Sequence, residues 1–358
     1  MYSIDYLKDF TYQVFSKVGC SEEDAATIAD ILVAAEKRGI SSHGMIRIKD
    51  YVLMHEKGRI NIHPNVHATR ETPSTAVVDG DGAYGMVAAN KSMKIAIEKA
   101  KNAGTGWVTT NNSNHFGIAG YYAMMALEED MVGIAMTNAN SLVAPTYSKS
   151  KRLGTNPIAV SVPAGKYPPY VADFATTPIA RGKLAIKGKK GEKIEEGFVQ
   201  DAEGRPSTNP DVIKEGGAIL PLGGDRLHGS HKGYCLNSIV DIFSAVFSGG
   251  NFGPFVPPQV PFLPLPEEQV GKGLGHFFGA MRIDAFEEKE EFKKRMDKWI
   301  ETFRSSESAE GQPKVLIPGD PEREMEEKTR EEGINVLGPV KQDLKEVADK
   351  LNIDFEVQ

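Results

Sequence analysis

An α/β fold is predicted for this chain by three observations. Amphipathic helices open it, short apolar strands alternate with helices through its middle, and polar or glycine-rich stretches stand where strands give way to helices. In α/β proteins that last position, beyond the strand ends, is where ligands bind.

Residues Ile4 to Val18 are amphipathic at helical spacing. Ser21-Glu22-Glu23-Asp24 resembles a capping box and opens a second helix to about Lys37, with Ala25, Ile28, Ile31, Leu32 and Ala35 on one face. Arg38-Gly39 ends it. A further helix is expected from Ser41 or Ser42 through about Lys57, on which His43 and Arg47 stand four apart and share a face. Ser74 to Asp79 reads as a strand, Gly80 to Gly85 as a glycine-rich turn and Met86 to Ala103 as a long helix. Gly106-Trp107-Val108 is a short buried strand. Six polar residues follow, Thr109 to Asn114, then His115 and a helix from Ile118 to Glu128.

Met131 to Thr137 is a strand that ends at Asn138-Ala139-Asn140. The turn Leu153 to Pro157 leads into the strand Ile158 to Val162, and Val171 to Thr177 is another strand end, followed at once by Ala180-Arg181-Gly182-Lys183. Lys187 to Lys193 is expected to be a solvated loop, and Phe198 to Pro210 is turn-rich. A helix from about Gly233 to Phe247 carries Leu236, Ile239, Val240, Phe243 and Val246. Pro254 to Pro266 is too rich in proline for helix or central strand, so it reads as a long ordered loop or a lid. Gly275 to Met281 is a short apolar strand, Glu287 to Phe303 a charged amphipathic helix and Val315 to Pro318 a strand. Two helices close the chain, and no internal repeat is visible.

The 358 residues suffice for two or three domains. A net charge of -7 argues against a nucleic-acid footprint, which needs a basic face, but leaves room for a local basic pocket. Cys20 and Cys235 are the only cysteines and lie far apart, which predicts a reduced, intracellular protein without a cysteine-rich metal site. Neither a signal-peptide pattern nor an apolar run of spanning length is visible, so a cytoplasmic location without a membrane partner is expected.

Three places carry chemistry. His115 is the only imidazole in the polar stretch after Val108, and imidazole suits proton transfer near neutral pH; the alternative is a hydrogen-bonded loop histidine. His43 and Arg47 near a helix start make a carboxylate clamp; the alternative is a solvated basic face. Two glycine-rich segments compete for a dinucleotide. Gly80 to Gly85 has the strand–GxGxxG–helix form, yet Asp79 and Asp81 would set two negative charges beside a pyrophosphate, and no acid closes the second strand. His231-Lys232-Gly233 offers a helix start and a cation, which is the better phosphate seat.

Ser42-His43-Gly44, Ser113 to Gly117, Gly154-Thr155-Asn156-Pro157, Asp173 to Thr177, Arg181-Gly182-Lys183, His231 to Tyr234 and Ile317 to Asp320 occur in one order. Together they resemble the type 2 malate/L-lactate dehydrogenase family, which includes ureidoglycolate, sulfolactate and 2,3-diketogulonate enzymes and a cyclic imino acid reductase. The resemblance covers nearly the whole chain, and the segment Gly275 to Phe286 is most similar to members labelled malate dehydrogenase. It implies an α/β fold that is not a Rossmann fold. A helical N-terminal region (1–70) would precede a central mixed-sheet NAD(P)-binding and catalytic domain (71–285). A C-terminal helical part (286–358) would pack back on the N-terminal helices. It implies a homodimer using NAD or NADP on a small anionic 2-hydroxy or 2-oxo acid, first of all L-malate and oxaloacetate. By resemblance the catalytic histidine is His115, and the substrate residues are His43, Arg47 and Thr155. Cofactor contacts would come from Asn138, Ala139, Asn140, Asp173, Phe174, Ala175, Arg181, Gly182, His231, Lys232, Pro318, Gly319 and Asp320. Many relatives have an acid or serine at Ala139 or Asn140 and glutamate at Asp320.

Three rival readings stand beside this one. A Rossmann dehydrogenase would use Gly80 to Gly85. A metal-dependent lyase or hydrolase would use His43, His115 and Asp173, although no histidine pair has helical HxxxH spacing. A nucleotide-binding protein without catalysis would leave His115 unemployed.

Overall fold

The computed structural model describes residues 1–357. The two opening helices form as expected, α1 over Ile4–Val18 and α2 over Glu22–Lys37. Ser3 and Ser21 cap them by accepting the N–H groups of Tyr6 and Asp24, donors that the first helical turn leaves unpaired. The expected helix over His43 and Arg47 is broken. Two 3-10 turns, Ser41–His43 and Met45–Arg47, meet at Gly44, and only then does α3 (Ile48–Glu56) begin. Glu36 causes the break: its carboxylate accepts the Met45 N–H at 2.8 Å and lies 2.4 Å from where a Cβ on residue 44 would stand.

The middle of the chain runs β1 (His67–Glu71), β2 (Thr75–Asp79), α4 (Gly85–Ala103), β3 (Thr105–Ser113), α5 (Ala119–Met125), β4 (Met131–Thr137), β5 (Ile158–Val162) and β6 (Tyr170–Phe174). Then come α6 (Arg181–Lys190), the short strands β7 (Val199–Gln200), β8 (Pro206–Ser207) and β9 (Ala218–Ile219), and α7 (Ser230–Asp241), which runs on as a π-helical turn over Ile242–Val246. β10 (Leu274–Arg282), α8 (Lys289–Arg304), α9 (Asp320–Glu332) and α10 (Gly338–Leu351) complete it.

Seven strands form the main sheet, in the order β1-β2-β3-β10-β4-β5-β6. Only β2 and β3 run parallel, joined through α4; every other neighbouring pair is antiparallel. A doubly wound dinucleotide fold needs a mostly parallel sheet, so this is a mixed-sheet, non-Rossmann α/β protein. The apolar segment expected as a short strand is the central strand β10, between β3 and β4. α4 and α5 cover one face. A Cβ on Gly106 would meet the Ala96 carbonyl of α4 at 1.9 Å, and one on Gly133 the Ala123 carbonyl of α5 at 2.0 Å, so both glycines allow helix to touch strand. On the other face Phe243 of the π turn packs on Phe277, and Phe277 on Trp107.

Three further sequence expectations are corrected. The strand at Gly106 does not stop at Val108 but runs to Ser113, so most of the polar run is sheet. Its side chains stitch elements together: Thr110 to Ser92, Asn111 to the Ser248 carbonyl, Asn112 to Asp79 and Ser113 to His276. Lys187 to Lys190 belong to α6, which ends where Gly191 turns to φ +68°. Val315 to Pro318 is no strand. Pro318 has no N–H to donate, and its carbonyl accepts one bond from Val171. The Gly80 to Gly85 turn forms as expected and is packed: a Cβ on Gly85 would lie 2.0 Å from the Asn114 carbonyl, and Asp81 accepts from Asn61 and Asn65.

The Pro254 to Pro266 stretch is an ordered loop. Lys57 donates to the Pro261 carbonyl, and Arg59 to those of Val260 and Leu263. The C-terminal helices return to the N-terminal ones. Ile334 bridges to Tyr2, Glu326 pairs with Lys37 and Arg38, Asp343 pairs with Lys49, and Phe355 packs on Phe10.

Candidate active site

His115 leaves the end of β3 in the turn before α5. Its ring stacks on that of His43, with centroids 5.3 Å apart and planes 25° apart. The hydroxyl of Tyr51, from the middle of α3, lies 2.6 Å from His115 Nδ1. Ser42 Oγ lies 2.8 Å from His43 Nδ1. Arg47 is held by its own loop: Nε donates to the Ser42 carbonyl at 2.8 Å, and Nη1 stands 3.7 Å from Asp50. The break at Gly44 therefore replaces a shared helical face with two turns that set His43 against His115.

The pocket disfavours positive charge on its imidazoles. Burial, then Arg47, lowers the His43 pKa to about 3. Burial, then His43, Arg47 and His276, holds His115 well below the usual histidine range. Burial raises the Asp50 carboxyl, although Arg47 pulls the other way. Two neutral imidazoles and one permanent guanidinium thus face a space suited to an anion.

The remaining predicted residues gather at strand ends. Asp173, at the end of β6, accepts the Gly120 N–H of α5 at 2.8 Å, and burial pushes its carboxyl up to about 6. That bond ties the β6 end to the element that follows His115. A Cβ on Gly182 would lie 3.8 Å from Ser42 Cβ, so the start of α6, with Arg181, sits against the His43 turn. Thr155 is half-buried, and its carbonyl accepts from both the N–H and the hydroxyl of Thr176. Asn237 of α7 donates to the Gly154 carbonyl, which ties the middle of α7 to the turn that carries Thr155; His231 and Lys232 stand in the first turn of α7. Arg226 lies 2.7 Å from His231 Nδ1, and Lys232 is exposed. Phe174 is exposed, Ala175 and Asn140 are half-buried, and Ala139 donates its N–H to Asn156.

Two of these side chains are engaged inside the protein. Asn138 is fully buried, donates to Asp241 and to the Asn251 carbonyl, and accepts from Gly275. Asp320 accepts the Ile317 N–H and pairs with Arg304 and Arg323; burial raises its carboxyl, but these three partners outweigh it and the net shift is downward. At the turn Pro318 to Asp320, which lies along Val171, the backbone is what remains for a ligand.

Sequence reasoning missed Tyr51 and the hydroxyl of Ser42 as partners of the two imidazoles. Tyr51 stands four residues after Arg47, the spacing that puts two side chains on one helix face, but a buried tyrosine also reads as core. A cavity of about 580 Å³ opens beside Asn114, lined also by Lys57, Arg59 and Gln269. The cations lining this cavity are tied to loop carbonyls. Asp173, bonded to Gly120, does not join the pair, and among the described residues no group of three or more His, Cys, Asp or Glu side chains is placed to hold a metal ion.

A mixed-sheet α/β protein with an imidazole–guanidinium pocket at its strand ends is the class that fold and site define. The family model for malate/L-lactate dehydrogenase matches residues 2–345. Malate dehydrogenase of Pyrococcus horikoshii is 41% identical over 351 residues, 98% of this chain and 95% of the relative. L-sulfolactate dehydrogenase of Methanocaldococcus jannaschii is 40% identical over 349 residues, 98% and 96% of the two chains. The solved structure of malate dehydrogenase from Entamoeba histolytica matches with a TM-score of 0.92 at 36% identity, covering 99% of both chains. This chain belongs to the malate/L-lactate dehydrogenase family of hydroxy acid dehydrogenases.

Proposed function

We propose that the protein is an NAD(P)-dependent dehydrogenase that interconverts a 2-hydroxy acid and a 2-oxo acid, with L-malate and oxaloacetate as the first pair. The observation that carries this reading is the His115–His43–Arg47 pocket, with Nδ1 of His115 turned to Tyr51 and Nε2 left for the substrate. Arg47 holds the C1 carboxylate through its planar fork, and His43 adds an N–H. His115 gives a proton to the C2 oxygen in reduction and takes it back in oxidation.

The residues present fit a dinucleotide. Arg181 and Lys232 stand in the first turns of α6 and α7, where free N–H groups and the helix dipole favour phosphate. Phe174 offers an exposed ring, and the Gly223 and Gly233 backbones approach their neighbours too closely for a Cβ. When bound, the nicotinamide supplies or takes the hydride. L-lactate, sulfolactate and ureidoglycolate are the alternative substrates. Relatives named for malate and for sulfolactate favour an acid with a second anionic group. The remote alternative is a metal-dependent lyase or hydrolase.

A homodimer in the cytoplasm completes the reading. No described helix is long and apolar enough to cross a membrane. Support for a second copy comes from two surfaces of the same chain. Leu236, Ile239, Ile242, Val246 and Phe247 expose an apolar stripe along α7 and its π turn. Val132, Ile134, Met136 and Val160 are only half-buried, on the sheet face turned from α4 and α5. A helix with an exposed apolar stripe and a half-covered sheet face complement each other across a two-fold axis.

The test is a panel of 2-oxo acids assayed with NADH and with NADPH, before and after chelation. Turnover that needs nicotinamide, survives chelation and favours oxaloacetate supports the proposal. Turnover abolished by chelation and indifferent to nicotinamide sinks it.

A further inference from the structure

The ring of His115 has no carboxylate partner among the described residues, although a histidine acting as acid and base needs its far nitrogen held. The charged or titratable groups that face it are His43 in the stack, Arg47 beside it, His276 beneath Phe116, and Tyr51, with Asp50 behind Arg47. Tyr51 alone of these bonds to it. Its side chain is 3% exposed, its hydroxyl lies 2.6 Å from Nδ1, and its backbone carbonyl accepts the hydroxyl of Tyr84, so ring and helix are both pinned. The Gly117 N–H, which can only donate, also points at Nδ1, at 3.4 Å.

We propose that Tyr51 is the positioning residue for the acid–base histidine, holding the His115 ring with Nδ1 inward and Nε2 toward the substrate. The assignment follows from the geometry: the Tyr51 hydroxyl and the Gly117 N–H both meet Nδ1, which leaves Nε2 as the nitrogen that faces the substrate. A phenol suits a reversible reaction. It donates to a bare Nδ1 and, with its hydroxyl turned, accepts from the N–H of an imidazolium. A carboxylate could only accept and would favour the charged ring permanently. In reduction the imidazolium transfers its Nε2 proton to the C2 oxygen and becomes a neutral ring protonated at Nδ1, whose N–H the Tyr51 oxygen accepts. In oxidation the same proton returns to Nε2. Tyr51 keeps its own proton throughout.

This inference rests on His115 being the acid–base, so its experiment carries His115→Ala as a control. Tyr51→Phe keeps the ring and the bond from Tyr84 and removes one oxygen. Circular dichroism checks the fold of each variant. Three results are expected for Tyr51→Phe. kcat falls about tenfold or more in both directions, with KM and NADH affinity within about twofold. The falling limb of kcat/KM for reduction moves to lower pH, because the oxygen that accepts the Nδ1–H of the imidazolium is gone. The ¹⁵N signals of His115, assigned by difference from His115→Ala, show a changed balance between the Nδ1–H and Nε2–H tautomers. A folded Tyr51→Phe protein with wild-type kcat, limb and tautomer overturns the proposal if His115→Ala is inactive. If His115→Ala turns over normally, the acid–base reading itself fails.

Discussion

His115 is a neutral imidazole at pH 7 because burial, His43 and Arg47 all disfavour its charge. In the proposed mechanism reduction of a 2-oxo acid needs the protonated ring and oxidation of a hydroxy acid the neutral one. The low pKa gives the sign: above it the protonated fraction falls about tenfold per pH unit, while the neutral fraction is saturated. We expect log kcat/KM for oxaloacetate reduction to decline with a slope near minus one from about pH 7 upward, and that for malate oxidation to stay flat on account of this group. Opposite slopes in a pH series would remove His115 from the mechanism. His115→Ala should lower kcat by roughly 10² to 10⁴ with NADH binding retained. Arg47→Lys keeps the charge but loses the fork, so KM for the oxo acid should rise with little change in NADH affinity. A loss of NADH affinity there would assign Arg47 to the nucleotide instead.

Elements meet in this protein where backbones come close, and glycine marks those places. Gly106→Ala would drive a methyl group into the Ala96 carbonyl of α4. Overpacking of this kind costs about 1–3 kcal/mol or more, and a thermal melt should show a drop of several degrees. An unchanged melting temperature would mean that α4 is free to shift. Helix starts also decide where phosphate sits. Lys232→Ala at the start of α7 should weaken NADH binding about tenfold or more, the worth of a charge-assisted hydrogen bond. Gly82→Ala should leave it within about threefold, at some cost in stability, since Gly82 has φ +68° and its N–H donates to the Asn112 carbonyl. Fluorescence titration separates the two. Lost binding in a folded Gly82→Ala protein beside retained binding in Lys232→Ala would return the dinucleotide to the first segment.

The whole molecule leaves one sheet face half-covered and one helix stripe exposed, and both are met if two copies pair. Ile239→Glu with Val246→Glu places charge on that stripe without touching the His115 pocket. Light scattering on a sizing column should show the wild type at dimer mass and the variant at monomer mass. A wild type that stays monomeric at high concentration would leave the stripe unexplained and refute the pairing.

Local signals determined much of this protein. The Ser21 cap, the helical periodicity of α1 and α2, the apolar run of β10 and the proline-rich loop are visible in the sequence, since each depends on neighbours a few residues away. The ordered motifs also marked the family, and with it a fold that is not doubly wound. Tertiary structure alone decided the rest. The polar run Thr109 to Asn114 had the look of a ligand crown but is mostly strand, because its side chains find distant partners in Ser92, Ser248, Asp79 and His276. Glu36, not the local sequence, breaks the helix at Gly44 and turns His43 onto His115. Asp320 and Asn138 carried the resemblance at positions where their side chains bond inward. Tyr51 read as core because helical spacing reports which face a residue occupies, and only the arrival of His115, 64 residues later, makes that face a partner for its Nδ1.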